Sequence, residues 1–171
     1  MIRFKIFLLA VLVFISEGIF VEIFSEKLYT SPYILVPRFI IIFLVFLGVY
    51  GKRNLAIIYA FGMGIFYDVV YTEVLGVYLF TLPLMVYFST QLMKVLQINL
   101  GIVSSVCLLA ISVLEIIVYE VNLLIGFTSL TFIEFAQMRL LPTLILNLIF
   151  LILFGYVFAK WMKKWTVEED I

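Results

Sequence analysis

Six apolar blocks follow one another along this chain, at about residues 4–24, 33–50, 54–70, 74–93, 100–121 and 138–160, with short polar interruptions between most of them. A helix needs roughly 20 residues to cross a bilayer core about 30 Å thick, and only helices or closed barrels satisfy their own backbone in lipid. The pattern therefore predicts an all-α integral membrane protein, a single polytopic domain over residues 1–171 built as a bundle of six transmembrane helices. With 66% hydrophobic residues and a mean hydropathy of +1.28, little chain is left for a soluble domain.

The charges give the bundle an orientation. Arg3 and Lys5, Lys52 and Arg53, Lys94, and Lys160, Lys163 and Lys164 fall at alternate ends of the proposed spans. The positive-inside rule makes that side cytoplasmic, so both termini are expected in the cytoplasm. The stretch from Ile6 to Phe24 is longer than the apolar region of a signal peptide and has no small-x-small cleavage site, so it reads as the first span. At the other terminus, Trp161, Trp165 and the neighbouring lysines form an interfacial anchor to the lipid bilayer. The segment Asn122 to Gln137 is too apolar for a free loop and is expected to lie along the interface or over the bundle.

Several chemistries drop out. There is no histidine, and the single cysteine, Cys107, lies in an apolar stretch, which leaves no disulfide, no zinc cluster, no metal site and no histidine-based catalysis. The formal net charge is zero, so nothing in the balance attracts nucleic acid. The pair Tyr67-Asp68 resembles that of intramembrane aspartyl proteases, but those need two aspartates sharing a proton. The other aspartate here is Asp170, in the cytoplasmic tail. No catalytic residue and no cofactor site is expected.

The charges inside the apolar blocks remain to be explained: Glu17, Glu22, Arg38, Asp68, Glu115, Glu120 and Arg139 gather toward the outer half of the proposed topology. A lone charge in lipid costs at least about 2.5–3.5 kcal/mol, so Arg38 and Arg139 are expected to form ion pairs with carboxylates such as Glu115. In the third span, Ala56, Ala60, Gly64 and Asp68 recur every four residues, and Gly76 follows. Small residues at that spacing let another helix approach closely. Two readings fit this face: internal packing with Asp68 as its end, or recognition of a partner's helix. Pro37, Pro83 and Pro142 each free backbone groups that neighbours must satisfy.

An ordered set of short motifs runs nearly end to end: Val36-Pro37-Arg38-Phe39, Ile58 to Gly62, Tyr67-Asp68, Tyr71-Thr72, Leu75 to Tyr78, Lys94 to Leu96, Leu114-Glu115, Arg139 to Thr143 with Pro142 inside it, and Leu146-Asn147. In this order the chain resembles the MreD family of bacterial rod shape-determining membrane proteins, of the bacillus type. The resemblance implies a non-enzymatic scaffold or regulator of the cell-elongation machinery, needed for cell shape and lateral peptidoglycan synthesis. It implies MreC as direct partner, with MreB, RodA and an elongation-specific penicillin-binding protein reached indirectly. It also implies an architecture similar to the substrate-binding S-components of energy-coupling-factor vitamin transporters, which supplies the alternative function: binding a small substrate for uptake.

Overall fold

The computed structural model describes residues 2–29, 33–72 and 74–169. Every regular element among them is helical: α1 (Ile2–Tyr29), α2 (Phe39–Tyr50), α3 (Arg53–Tyr71), α4 (Val77–Leu92), α5 (Leu100–Leu124), α6 (Phe132–Phe135) and α7 (Leu141–Glu169). A π-helical turn, Ala136–Leu140, joins α6 to α7 without a break, so residues 132–165 form one apolar rod. Four helices are long and apolar enough to cross a membrane: Arg3–Phe24, Arg53–Tyr71, Leu100–Leu124 and Phe132–Trp165. The other two blocks of the hydropathy pattern hold shorter helices, α2 of 12 residues and α4 of 16.

The second block differs most from a simple span. Residues 33–38 are not helical, and the helix begins only at Phe39. The cause is local: the ring of Pro37 keeps Val36 out of the helical region, and Pro37 has no N–H to give. A non-helical segment at this position must satisfy its backbone elsewhere, and α7 and the turn before it supply the partners. Pro142, near the start of α7, has no N–H for the carbonyl of Met138, four residues earlier, and that carbonyl instead accepts from Ile34 N at 2.7 Å. Thr143 Oγ1 accepts from Val36 N at 3.2 Å, while Asn147 accepts from Arg38 N at 2.8 Å and donates to Val36 O at 3.0 Å. The π-turn, the proline and the two polar side chains of α7 thus act together to hold one stretch of non-helical chain.

Beyond it, α2 is the centre of the bundle, in contact with α1, α3, α4, α5 and α7. Every residue from Phe39 to Leu47 is buried, all the way round the helix. Lipid tails are as apolar as these side chains, so what holds α2 is close packing rather than removal from water. Phe39 stacks on Phe150 at 3.9 Å between ring centres, and Phe43 and Phe46 meet Phe158 edge-on. By contrast, the described side chains of α1 bury a stripe, Ile6, Ala10, Val13 and Glu17, one per turn. Between α5 and α6, Tyr119 stacks on Phe135 and its hydroxyl donates to Leu130 O, so the segment after α5 folds back over the end of that helix.

Candidate functional site

The two short helices start in the same way. Each has its first turn closed by a carboxylate from the long helix before it. Glu17 on α1 accepts from Ile40 N, in the first turn of α2, at 2.8 Å, and also from the Tyr67 hydroxyl. Asp68 on α3 accepts from Tyr78 N at 2.8 Å, and its other oxygen from Gly76 N at 2.8 Å and Leu79 N at 3.0 Å, all at the start of α4. The first N–H groups of a helix have no partner within it and carry partial positive charge. A buried carboxylate there satisfies those donors, and they in turn satisfy the carboxylate.

For Asp68 to reach the start of α4, the chain must turn back within a few residues. Gly76 makes this possible with φ +107°, a left-handed conformation that other residues rarely adopt. Thr72 Oγ1 ties the end of α3 by donating to Asp68 O at 2.9 Å. Along the same face, a β-carbon on Gly64 would lie 2.6 Å from Tyr78 O and 2.7 Å from Leu79 Cα, so α4 backbone already occupies the space a side chain would need. Ala56 lies against the Gly48 position of α2, and both Ala56 and Ala60 are fully buried. The row Ala56, Ala60, Gly64, Asp68 is therefore filled from within the chain, by α2 and α4, and offers no open face there.

Arg38 joins the two helix pairs. It immediately precedes α2, 4% exposed, with Nε donating to Glu115 Oε1 at 2.6 Å and Nη2 to the Tyr78 hydroxyl at 2.7 Å. Its guanidinium carbon lies 5.0 Å from the centre of the Tyr78 ring. Arg139, in the π-turn, donates from Nε to Glu115 Oε2 at 2.9 Å. Glu115, wholly buried on α5, thus takes one arginine on each oxygen. The geometry brings together Arg38, Glu115, Arg139, Tyr67, Asp68, Pro37 and Asn147 at one end of the bundle, with Pro142 just beyond.

Three participants were not singled out as site residues by the sequence: Glu17, Tyr78 and Thr143. Glu17 carried a signal, since it is one of the few charges deep in an apolar block. The roles of Tyr78 and Thr143 depend on contacts 40 and 107 residues away along the chain, which leave no local mark. Among the described residues, no group of three His, Cys, Asp or Glu side chains is placed to hold a metal ion.

Two cavities accompany this hub. An apolar groove of about 630 Å³ runs between α1 and α7, lined by residues including Leu9, Leu12, Phe20, Phe150, Leu153 and Trp161. A second cavity of about 490 Å³, with walls part polar and part apolar, lies among the end of α3, the start of α4, the end of α5 and Arg139.

Residues 2–165 match the family described as rod shape-determining protein MreD. The chain is 34% identical to the rod shape-determining protein MreD of Bacillus subtilis over 170 residues, 98% of this chain and 99% of that protein. It is 25% identical to the cell shape-determining protein MreD of Streptococcus pneumoniae over 127 residues, 74% of this chain and 77% of the other. No solved structure matches the chain.

Proposed function

The chain belongs to the MreD family of rod shape-determining proteins, and on that premise we propose that it is a non-enzymatic membrane scaffold of the cell-elongation machinery that acts by binding MreC. Through MreC it would influence MreB, RodA and an elongation-specific penicillin-binding protein, and so lateral peptidoglycan synthesis. The observation that carries this reading is the use made of the polar groups. Glu17, Asp68, Arg38 and Glu115 are engaged in joining helices to one another, the work of a rigid frame.

The topology proposed is six-pass, in the bacterial cytoplasmic membrane, with both termini in the cytoplasm and one domain throughout. Two features support six crossings despite the short helices. The 12 residues of α2 give about 18 Å, and the six non-helical residues before it can span at most about 20 Å more, enough together for the bilayer core. The 16 residues of α4 give about 24 Å, which a helix buried among longer neighbours can make up by local thinning of the bilayer.

Because α2 and α4 fill the small-residue face, the contact with MreC's transmembrane helix is proposed for the groove between α1 and α7. Its walls are apolar, and the residues lining it extend over four turns of α7, from Leu146 to Trp161. Replacing Leu153 with tryptophan would fill the groove; MreC co-purification should then fall at least several-fold at unchanged protein level. Normal co-purification would move the contact elsewhere. Depletion in a rod-shaped host, with cell shape and vitamin uptake scored together, tests the wider reading. Rounding with normal uptake supports the scaffold, whereas loss of uptake with normal shape favours a substrate-binding S-component.

A further inference from the structure

We propose that the cavity bounded by Tyr78, Asn122 and Arg139 is a binding site for a small oxyanion, a carboxylate or phosphate group carrying a short apolar body. The inference does not rest on the MreC reading, which uses a different face of the bundle. It rests on hydrogen-bond donors that the protein leaves unused in one place. Among the described residues, Arg139 engages Glu115 through Nε, and the rest of its guanidinium, four of five N–H groups, has no acceptor. The Tyr78 hydroxyl accepts from Arg38 Nη2 but gives its own proton to no group among the described residues. Among the described residues, the Asn122 side chain makes no hydrogen bond; only its backbone carbonyl accepts, from Phe127 N and Thr128 N. All three residues line the same cavity of about 490 Å³, a volume in the range of small-molecule sites.

The charges point the same way. Two arginines meet on the single carboxylate of Glu115, while Glu17 is held by Tyr67 and the start of α2, and Asp68 by the start of α4. Among the described residues, the charged side chain that lines the cavity is Arg139, half-buried there. A planar guanidinium with unused N–H groups suits a carboxylate or phosphate. Val77, Val118 and Ile125 on the remaining wall suit an apolar body of a few carbons.

The source of the oxyanion, a lipid headgroup or a soluble molecule, is distinguished by the probes. The full chain is placed in phosphatidylcholine nanodiscs with or without phosphatidylglycerol, and separately in non-ionic detergent with inorganic phosphate or valerate. One arm should give saturable binding and raise the unfolding temperature by about 5 °C at a hundredfold excess over Kd. Asn122→Asp puts a like charge against the anion and should weaken binding at least about tenfold, with its ligand-free unfolding temperature near that of the parent. Tyr78→Phe should weaken it a few-fold. If Asn122→Asp does not accumulate, Asn122→Leu takes its place with the same expectation. Saturation by phosphatidylglycerol alone assigns a lipid headgroup, and saturation by phosphate or valerate assigns a soluble ligand. No saturable binding in any arm, or undiminished binding by the Asn122 variants, overturns the proposal.

Discussion

The pairs α1–α2 and α3–α4 use one device, a carboxylate of a long helix closing the first turn of a short one, yet they are joined very differently. In α3–α4 the turn is tight, Asp68 receives three backbone N–H groups, and Gly64 lets the backbones touch. In α1–α2, Glu17 receives one backbone N–H and a tyrosine hydroxyl, and the described side chains of α1 bury a narrow stripe. The first pair is a fixed unit. The second is a long helix leaning on a buried one, and it borders the apolar groove. The same chemistry thus yields a frame in one half and a more lightly held wall in the other.

The strongest way to break the comparison is at the residue that links the pairs. Arg38→Leu leaves Glu115 with one arginine and removes the hydrogen bond to Tyr78. Removing one partner of a buried ion pair typically costs about 3–5 kcal/mol, so little of this variant should accumulate in membranes. Arg139→Leu should cost less, because Arg139 is 23% exposed against 4% for Arg38. Equal yields of the two variants, measured by quantitative blotting, would show that burial does not set the difference.

Next comes the fixed unit itself. Asp68→Ala strands three backbone donors at the start of α4, and hydrogen bonds to a charged acceptor contribute about 1.5–3 kcal/mol each. Since the Gly76 end is half-exposed and its N–H can find another acceptor, a loss near 3–4 kcal/mol is expected in a detergent unfolding assay. Gly64→Leu should lose about 2–3 kcal/mol by forcing α4 away. A stable Gly64→Leu variant would mean that α3 and α4 are not in backbone contact.

Much of the helical skeleton could be read from hydropathy, because residues facing lipid and residues facing neighbouring helices are apolar alike. For that very reason hydropathy could not tell α1 from α2, one largely exposed and the other buried all round. Pro37 announced a bend, but the non-helical chain around it is held by Thr143 and Asn147, more than a hundred residues on. The need of Arg38 and Arg139 for carboxylate partners followed from the cost of charge in lipid. That both sit on Glu115 is decided by packing. The spacing of Ala56, Ala60, Gly64 and Asp68 marked a close-contact face without saying whose helix would fill it.

A smaller effect sharpens the contrast between the two carboxylates. Glu17→Gln keeps a carbonyl oxygen for Ile40 N but puts an amide donor in place of the oxygen that receives the Tyr67 proton. One charge-assisted hydrogen bond is lost, so a decrease of about 1–2 kcal/mol is expected, half or less of that for Asp68→Ala. If the two losses were equal, α1 would be as firmly fixed as α4, and the groove beside it would be a rigid wall.

The smallest effect belongs to the groove. Leu153 is 64% exposed, and Leu12, across from it on α1, is 53% exposed. In water, trimming either to alanine would lose buried apolar area. In a bilayer the lost contacts are with lipid tails, which close over the smaller side chain at little cost. Leu12→Ala and Leu153→Ala should therefore each change the stability of the isolated protein by less than about 0.5 kcal/mol. A partner helix lying in the groove changes the outcome, because its packing depends on shape rather than on avoidance of water, and each missing side chain leaves it a void. The pair should then show a wild-type unfolding curve for the protein alone and a lower one for the complex with MreC. Equal curves for the two complexes would leave the α1–α7 face to lipid, and the light attachment of α1 would have no partner to explain it.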